Sequence, residues 1–350
     1  MVSELNTISD LLEADRATVL THTEDVWRGL RGARVLITGG TGFVGAWLLE
    51  SLRWANEHLN SGVTAVVLTR DPDGFCERRP HLAKGRGIAL HRGDVRSYEA
   101  PGIFTHIIHG AASADAVLYA REPIAMFDTI VSGTRRTLEC AARDCATVLL
   151  ISSGAVYGPQ PRNLEQLRED FSGVPDPLAP DQLYAQAKRA AELLGAVHAR
   201  DAGLPIKVAR LFAFVGPYLP LDRHFAVGNF IRDRLAGGPI VITGDGTPLR
   251  SYLYGADLAI WLWTILARGA SGRPYNVGSE LALSIAEVAR RVAEIQIPSI
   301  PVARRQEPVP GLLPARYVPD TSRARGELGL DQRIGVEEGI RKTLDWAMQQ

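Results

Sequence analysis

The stretch Arg34 to Gly45, RVLITGGTGFVG, constrains this chain more than any other. Val35, Leu36 and Ile37 make an apolar run of the kind that fills a fully buried strand, and Gly39, Gly42 and Gly45 follow it at a regular spacing of three. Val44, Leu48, Leu52, Ala55 and Leu59 then recur at helical spacing, so the segment spells strand, tight turn, helix. The first glycine permits the sharp turn, the second lets backbone approach a pyrophosphate, and the third lets helix pack closely on strand. An anion is favoured at the helix start, where unpaired N–H groups and the helix dipole converge. These features point to a dinucleotide cradle contacted by Gly39, Gly42, Phe43 and Val44.

The 350 residues, 46% of them hydrophobic, suffice for one large α/β domain with a smaller companion. Lys plus Arg and Asp plus Glu both number 39, so the formal net charge is zero. Nucleic acid or an anionic membrane as main partner would call for a basic excess. Cys76, Cys140 and Cys145 are isolated and form no C-x-x-C, which suggests neither a disulfide framework nor a zinc ribbon and fits a reducing compartment. Glu4, Asp10, Glu13 and Asp15 leave no apolar leader core, and no later run reaches membrane-spanning length. The expectation is a soluble, cytoplasmic protein without a membrane partner.

Residues 1–32 read as an N-terminal extension. Leu5, Ile8, Leu11 and Leu12 share one helical face and Val19, Val26, Trp27 and Leu30 continue it, as a structural or interface element would. Ala65 to Leu68 is a second strand, whose end meets the adenosine ribose in a dinucleotide fold. An acid there would accept the 2′-hydroxyl of NAD. This chain instead has Thr69, Arg70, Asp71, and an arginine facing a 2′-phosphate leans the cofactor towards NADP. Ile88 to Leu90 lead into Gly93, Asp94 and Val95, with Asp94 placed to reach the adenine amino group. THIIHGAA, Thr105 to Ala112, is a fourth strand ending in small residues, as needed where the backbone of Gly110, Ala111 and Ala112 lies against a flat cofactor. His106 and His109 lack a third ligand and read as core or cofactor lining, with no metal site expected.

Residues 124–145 form a long helix and Thr147 to Ile151 a fifth strand, followed by SSGAVYG at Ser152 to Gly158. A Pro-rich, acidic stretch from Pro159 to Asp181 reads as a loop over the cleft. Tyr184 opens a helix, YAQAK, that carries Lys188 one turn further on the same face. Ile206 to Leu211, Ile240 to Ile242 and Tyr275 to Val277 are further strands. Helices are expected near 225–235, 284–295 and 336–348, and Asp257 reads as the cap of another apolar helix.

Ser153, Tyr184 and Lys188 suit one job. Tyr is a poor base at its ordinary pKa of about 10. A lysine ammonium beside it favours the phenolate, which takes a proton from a sugar or alcohol hydroxyl while hydride leaves for a nicotinamide. The serine hydroxyl holds the substrate oxygen between them.

From about residue 33 to 347 the chain resembles the extended short-chain dehydrogenase/reductase family of nucleotide-sugar epimerases, dehydratases, decarboxylases and ketoreductases. TGGTGFVG, GDV at Gly93, HGAA at His109, SSGAVYG, YAQAK, RLFAFVGP at Arg210, GDGTPLRSYLYGADL and YNVG carry the likeness. It implies a Rossmann-type doubly wound parallel sheet with a smaller α/β C-terminal substrate-binding region. The dinucleotide-binding part would span 33–212 with a return at about 251–278, and the substrate-binding region 213–250 and 279–347. It implies NAD(P) as cofactor, a nucleoside diphosphate sugar as substrate, and a homodimer built on helices like 124–145 and 184–202. By position Ser153, Tyr184 and Lys188 match the family's catalytic triad, with Tyr184 and Lys188 also touching the cofactor. Ser113, His224 and Arg250 fall to the substrate side, Arg250 like the arginine that contacts the diphosphate.

Departures from the family pattern narrow the chemistry. Relatives that dehydrate at C4–C6 carry an acid, usually Asp-Glu, in the two positions after the triad Ser or Thr, and decarboxylases carry a Glu there. This chain has Gly154 and Ala155. Expulsion of a 6-hydroxyl then lacks its acid, unless Asp115, Glu165 or Glu169 supplies one, and the expectation moves to a 4-epimerase, with 4-ketoreductase and then 4,6-dehydratase as alternatives. A cofactor-binding protein without chemistry is disfavoured because the triad is intact. Ile130 and Ala213 stand where relatives write Asn, and Pro310 where an Arg is usual, for which Arg304, Arg305 or Arg316 would substitute.

Overall fold

A computed structural model describes residues 8–112, 121–173, 175–223 and 225–350. Its centre is a parallel sheet of β1 (Arg34–Thr38), β2 (Thr64–Thr69), β3 (Ile88–Arg92), β4 (His106–His109), β5 (Thr147–Ser153), β6 (Ile206–Leu211) and a late strand, Pro274–Val277. The order across the sheet is β3, β2, β1, β4, β5, β6 and then 274–277, with every one of these neighbours parallel. This is the doubly wound Rossmann order, and the direction of winding reverses between β1 and β4. Sheets of this kind are covered on both faces, which is why β1, β2, β5 and β6 are near-continuous apolar runs and not alternating ones.

The covering helices follow from heptad-like apolar spacing. They include α1 (Ile8–Gly29), α2 (Phe43–His58), α3 (Pro72–Arg78), α4 (Pro80–Ala83), α5 (Pro123–Asp144), α6 (Leu183–Ala202), α7 (Ala226–Leu235) and α8 (Gly255–Arg268). The N-terminal extension is α1, and it is part of the body: Leu12, Val19, Val26 and Trp27 are buried, and Trp27 packs on Trp263 of α8 with ring centroids 4.6 Å apart. Leu5, and the side chains of Ile8 and Leu11, lie outside the described residues.

Beyond β6 the chain builds small sheets. Ile240–Ile242 pairs with Val302–Arg304, and Leu249–Arg250 is flanked by Leu283–Ser284 and by Arg316–Tyr317. In that last pairing Tyr317 stands opposite Arg250. The helices α9 (Ile285–Glu294), α10 (Ser322–Leu328) and α11 (Val336–Ala347) complete this part. The described residues of 159–181 carry no regular helix or strand beyond a short 3₁₀ turn at 180–182, and they are stitched to the C-terminal part by isolated bridges, Gln160 to Arg316 and Leu167 to Pro319.

One expectation is corrected. Asp257 does not cap its own helix: α8 begins after Tyr254 without a side-chain cap. The buried Asp257 carboxylate instead accepts the backbone N–H groups of Arg333 and Ile334, at 3.1 and 3.0 Å, just ahead of α11. It sits in the first turn, too far along to reach back to its own helix end, and so serves the segment packed above.

Candidate active site

The crevice between the carboxyl ends of β1 and β4 is built from backbone. Gly39 has φ +75°, and a Cβ there would lie 2.5 Å from the Gly110 carbonyl oxygen, so only glycine permits the turn to lie on the end of β4. A Cβ at Gly45 would lie 2.2 Å from the Gly40 oxygen, which fixes α2 directly on the loop. Gly42 ends the loop as the N-cap of α2, with no side-chain cap and no acid in the first turn. The first amides of α2 are therefore open to an anion, and the residues present fit a dinucleotide phosphate.

Behind the loop lies a saturated knot. Thr38 Oγ1 accepts the N–H groups of Gly110 and Ala111, both at 3.2 Å, and contacts His109 Nδ1 at 2.9 Å. Thr134 gives its own proton to the Ile130 carbonyl, so its oxygen accepts from His109 Nε2 at 3.0 Å. His109 is thus a buried, neutral core residue, and burial, with Lys188 adding to it, pushes its pKa down to about 3.

Further along the crevice Thr69 and Val95 are buried, Arg70 is exposed, and Ala112 is half-buried. The Asp94 carboxylate is engaged by Arg96, at 2.7 Å, and this pairing holds its pKa down to about 2. Arg79 escaped the sequence reading. Its guanidinium reaches the Thr41 and Gly42 carbonyls of the glycine loop, each at 3.4 Å, and lies 4.6 Å from the centre of the Tyr218 ring. The run Arg78-Arg79-Pro80 at a helix junction was the available signal.

Ser153 ends β5 and caps the following turn, its Oγ accepting the Ala155 N–H at 3.1 Å. Tyr184 stands at the start of α6 with Lys188 one turn on. Ser153 lies near enough to the Tyr184 phenol to oppose the effect of burial on it. Lys188 Nζ, buried, donates to the Ile151 carbonyl at 2.8 Å and lies 5.9 Å from the Tyr184 ring centre. Burial pushes the lysine down to about 8 although Glu192 opposes it. Against the expectation that this ammonium lowers the phenol, burial raises the Tyr184 pKa, with Ser153 working against it. The ammonium is turned towards backbone, and its charge reaches the phenol less strongly than desolvation does.

A second phenol enters from the C-terminal part. Tyr317 packs against Phe212 in a tilted pair with ring centres 4.6 Å apart, has the Arg250 guanidinium 5.9 Å from its own ring centre, and donates its hydroxyl to the Leu211 carbonyl at 3.4 Å. A Cβ at Gly154 would lie 2.7 Å from the Tyr317 hydroxyl and 2.7 Å from the Phe212 ring. The space beside Gly154, where an acid was sought from the sequence, is therefore filled by these two rings. Nothing in the run PARYVPD announced Tyr317, because the pairing that brings it there joins two-residue strands far apart in sequence.

Arg250 is half-buried, donates to the Leu249 carbonyl at 2.8 Å, and has its pKa lowered by burial. Arg316, on the neighbouring strand, buries its Nε without a hydrogen-bond partner. Neither arginine has a carboxylate partner among the described residues. Arg304 instead pairs with Glu307, and Arg305 is exposed. Of the substitute acids, Glu169 is buried and accepts the Asn276 N–H at 2.9 Å, which makes it structural, and Glu165 is exposed. Ser113, Asp115 and His224 lie outside the described residues.

Comparison with known proteins agrees with this architecture. The NAD dependent epimerase/dehydratase family matches residues 35–278. UDP-glucuronic acid decarboxylase 3 of Arabidopsis thaliana is 31% identical over 315 residues, covering 88% of this chain and 86% of that one. UDP-glucuronic acid 4-epimerase from Bacillus cereus, solved with UDP-glucuronic acid and NAD, superposes with a TM-score of 0.76 at 22% identity, over 90% of this chain and 99% of that one. A dTDP-glucose 4,6-dehydratase from Streptomyces venezuelae, solved with NAD, superposes with a TM-score of 0.75 at 23% identity, over 90% and 97%.

Proposed function

Because the chain belongs to the NAD dependent epimerase/dehydratase family, we propose that it is a nucleotide-sugar epimerase, which oxidises C4 of a nucleoside diphosphate sugar and reduces it again from the opposite face. The observation that carries this reading is the packing after Ser153: a side chain at Gly154 would meet the Tyr317 hydroxyl and the Phe212 ring, and among the described residues no carboxylate is one of the atoms nearest that position.

NAD(P), held by Gly39, Gly42, Phe43, Val44, Thr69, Arg70, Asp94, Val95 and Gly110 to Ala112, supplies the hydride acceptor and donor when bound. Tyr184 takes the C4 hydroxyl proton and returns it after the sugar has turned. Ser153 holds the C4 oxygen against that phenol, and Lys188, which in this family also touches the cofactor, keeps a positive charge near the site. Arg250 and Arg316 supply charge for the diphosphate, a planar fork matched to its oxygens. By resemblance to the family alone, Ser113 and His224 would serve the substrate. Residues 33–212 with 251–278 would serve the dinucleotide, and 213–250 with 279–347 the sugar nucleotide. Exposed Ile124 on α5 and Leu193 and Val197 on α6 support pairing of two copies along these helices, and the working compartment we infer is the cytoplasm. Arg70 keeps the lean towards NADP, although the solved relatives named above were described with NAD.

Similarity in sequence to the decarboxylase favours a second reading, oxidation at C4 followed by loss of CO₂ from a uronic acid. One experiment separates these. Purified protein is incubated with UDP-, dTDP-, GDP-, CDP- and ADP-sugars, including UDP-glucuronic acid, with and without NADPH, and products are read by mass and NMR. Unchanged mass with an inverted carbon supports epimerisation. A product lighter by CO₂ or by water, or heavier by two hydrogens, replaces it with decarboxylation, dehydration or reduction.

A further inference from the structure

We propose that Glu192 is a positioning residue for the triad, tying α6 to the end of β5 so that Lys188 stays seated on the Ile151 carbonyl beside Ser153. This inference rests on the roles given to Ser153, Tyr184 and Lys188 in the preceding section. It starts from spacing. Glu192 follows Lys188 by four residues, as Lys188 follows Tyr184, so the three fall along one face of α6. Two of them grip consecutive residues of β5. Lys188 Nζ donates to the Ile151 carbonyl at 2.8 Å, and the Glu192 carboxylate accepts the hydroxyl proton of Ser152, the next residue. Ser153, which ends the strand, is therefore set against the helix by two fastenings one helical turn apart.

Glu192 is itself held from behind. Arg210, opposite Ser152 in the β5–β6 pairing, meets both carboxylate oxygens, with Nε at 3.0 Å and Nη2 at 2.7 Å, a two-pronged geometry that fixes the plane of the carboxylate as well as its distance. Its Nη1 donates onward to the Tyr157 hydroxyl at 2.9 Å and to the Glu169 carbonyl at 3.1 Å. Tyr157 in turn donates to Asn276 Oδ1 at 2.7 Å, on the edge strand of the sheet. The side chains of Glu192 and Arg210 are 16% and 14% exposed, which separates this pair from the loose ion pairs of a surface. The titratable and charged groups about Lys188 are Tyr184 and Glu192 on its own helix, neutral His109 on β4 and, behind Glu192, Arg210 on β6. Of these four Glu192 alone is anionic, and it opposes the burial that takes the lysine down to about 8.

The test reads Lys188 directly. Lysine occurs at 84, 188, 207 and 342, so protein carrying ¹³Cε-lysine gives few signals, and Lys188→Met assigns the one wanted. In Glu192→Gln, Lys188 should bind its proton about tenfold more weakly than in wild type, the low end for loss of a nearby opposite charge. Ser152→Ala cuts the fastening to β5 and leaves the Glu192–Arg210 pair whole. It should weaken dinucleotide binding, read by calorimetry, about threefold to tenfold, the scale of one hydrogen bond, and lower kcat by a similar factor with the sugar KM within about twofold. Because the effect runs through the lysine, Ser152→Ala should change dinucleotide affinity no further once Lys188 is replaced by alanine. Ser152→Thr, which keeps the hydroxyl, should restore both losses. A role in stability alone predicts otherwise: a lower melting temperature in Ser152→Ala with dinucleotide affinity unmoved, or a loss of affinity that persists undiminished in Lys188→Ala, overturns the proposal. An unmoved Lys188 titration in folded Glu192→Gln overturns it too, and if Glu192→Gln does not fold, the Ser152 variants decide. The titration uses neither sugar nor cofactor, so it stands apart from the epimerase reading, whose failure shows in the wild-type protein as a different product or none.

Discussion

Two clusters of buried polar groups lie in this molecule, and they differ in what they leave unspent. Around Glu50 of α2 the carboxylate is fully engaged, although the Arg53 Nε is buried without a partner. The carboxylate receives Tyr218 at 2.5 Å, His81 at 3.0 Å and Arg53 at 3.2 Å, with Arg16 of the N-terminal helix at 3.6 Å. Burial alone would raise its pKa, but His81, Tyr218 and the two arginines outweigh burial and bring it down to about 2. Around Ser153 capacity is kept back: a phenol raised by burial, a lysine lowered by it, and two arginines without carboxylate partners among the described residues. Both clusters are strongly perturbed, so perturbation by itself marks neither as functional. Spare donors facing a crevice mark the second, and the four partners gathered on one carboxylate mark the first as a clamp for α1.

Removing the base should break the second cluster most sharply. Tyr184→Phe should lower turnover by about 10²–10⁴-fold while leaving dinucleotide affinity, measured by calorimetry, and thermal stability nearly unchanged. Turnover within tenfold of wild type would erase the distinction between the clusters.

The reverse pattern is expected of Glu50→Gln, which should cost about 3 kcal/mol of stability and leave the activity of the folded fraction intact. Charge removal takes a buried carboxylate away from Arg16 and Arg53, of which Arg53 keeps Glu57 at 2.7 Å. The same group sets a pH signature. Its folded pKa is depressed, so its contribution is complete above the unfolded value near 4.5 and is lost as pH falls towards about 2. Urea midpoints measured from pH 6 downwards should fall more steeply in wild type than in Glu50→Gln, and equal slopes would show that Glu50 is not the clamp.

How much of this contrast was legible beforehand depends on the range of the interactions. The cradle was legible because strand, glycines and helix are contiguous, and Gly39 and Gly45 contact residues of the loop or the adjoining strand end. Ser153 and the Tyr184–Lys188 pair were legible because helical spacing places the latter two on one face. The Glu50 clamp was not: Arg16, His81 and Tyr218 come from distant segments, and a glutamate within an amphipathic helix reads as surface. Tyr317 was hidden for the same reason, and Arg316 appeared only among three candidates until strand pairing put it beside Arg250. Even within the triad, spacing gave the neighbours of Tyr184 but not that Lys188 turns its Nζ to the Ile151 carbonyl.

The spare arginines offer a smaller test. Arg250→Ala should raise KM for the nucleotide sugar about tenfold or more, the scale of one charge-assisted hydrogen bond, and change kcat and melting temperature little. Loss of stability in place of affinity would move Arg250 to the structural side of the comparison.

The smallest effect is expected at Arg70, and it sharpens the comparison at its edge. Arg70 is exposed at the end of β2, lends only its carbonyl to Arg92 at 3.1 Å, and has no ion pair among the described residues, so it is uncommitted in the way Arg250 is. Arg79 nearby is the committed one, half-buried against the Tyr218 ring and the loop carbonyls. A ligand 2′-phosphate would engage the uncommitted guanidinium at little structural cost, while solvent screening at an exposed site holds the gain to the low end of charged hydrogen bonds. Arg70→Ala should therefore weaken NADP(H) binding about tenfold and leave NAD(H) binding within error, whereas Arg79→Ala should weaken both, since it deforms the loop that holds the shared pyrophosphate. Calorimetry showing tighter NAD than NADP binding in the unmodified protein would remove Arg70 from cofactor selection and leave it a surface residue.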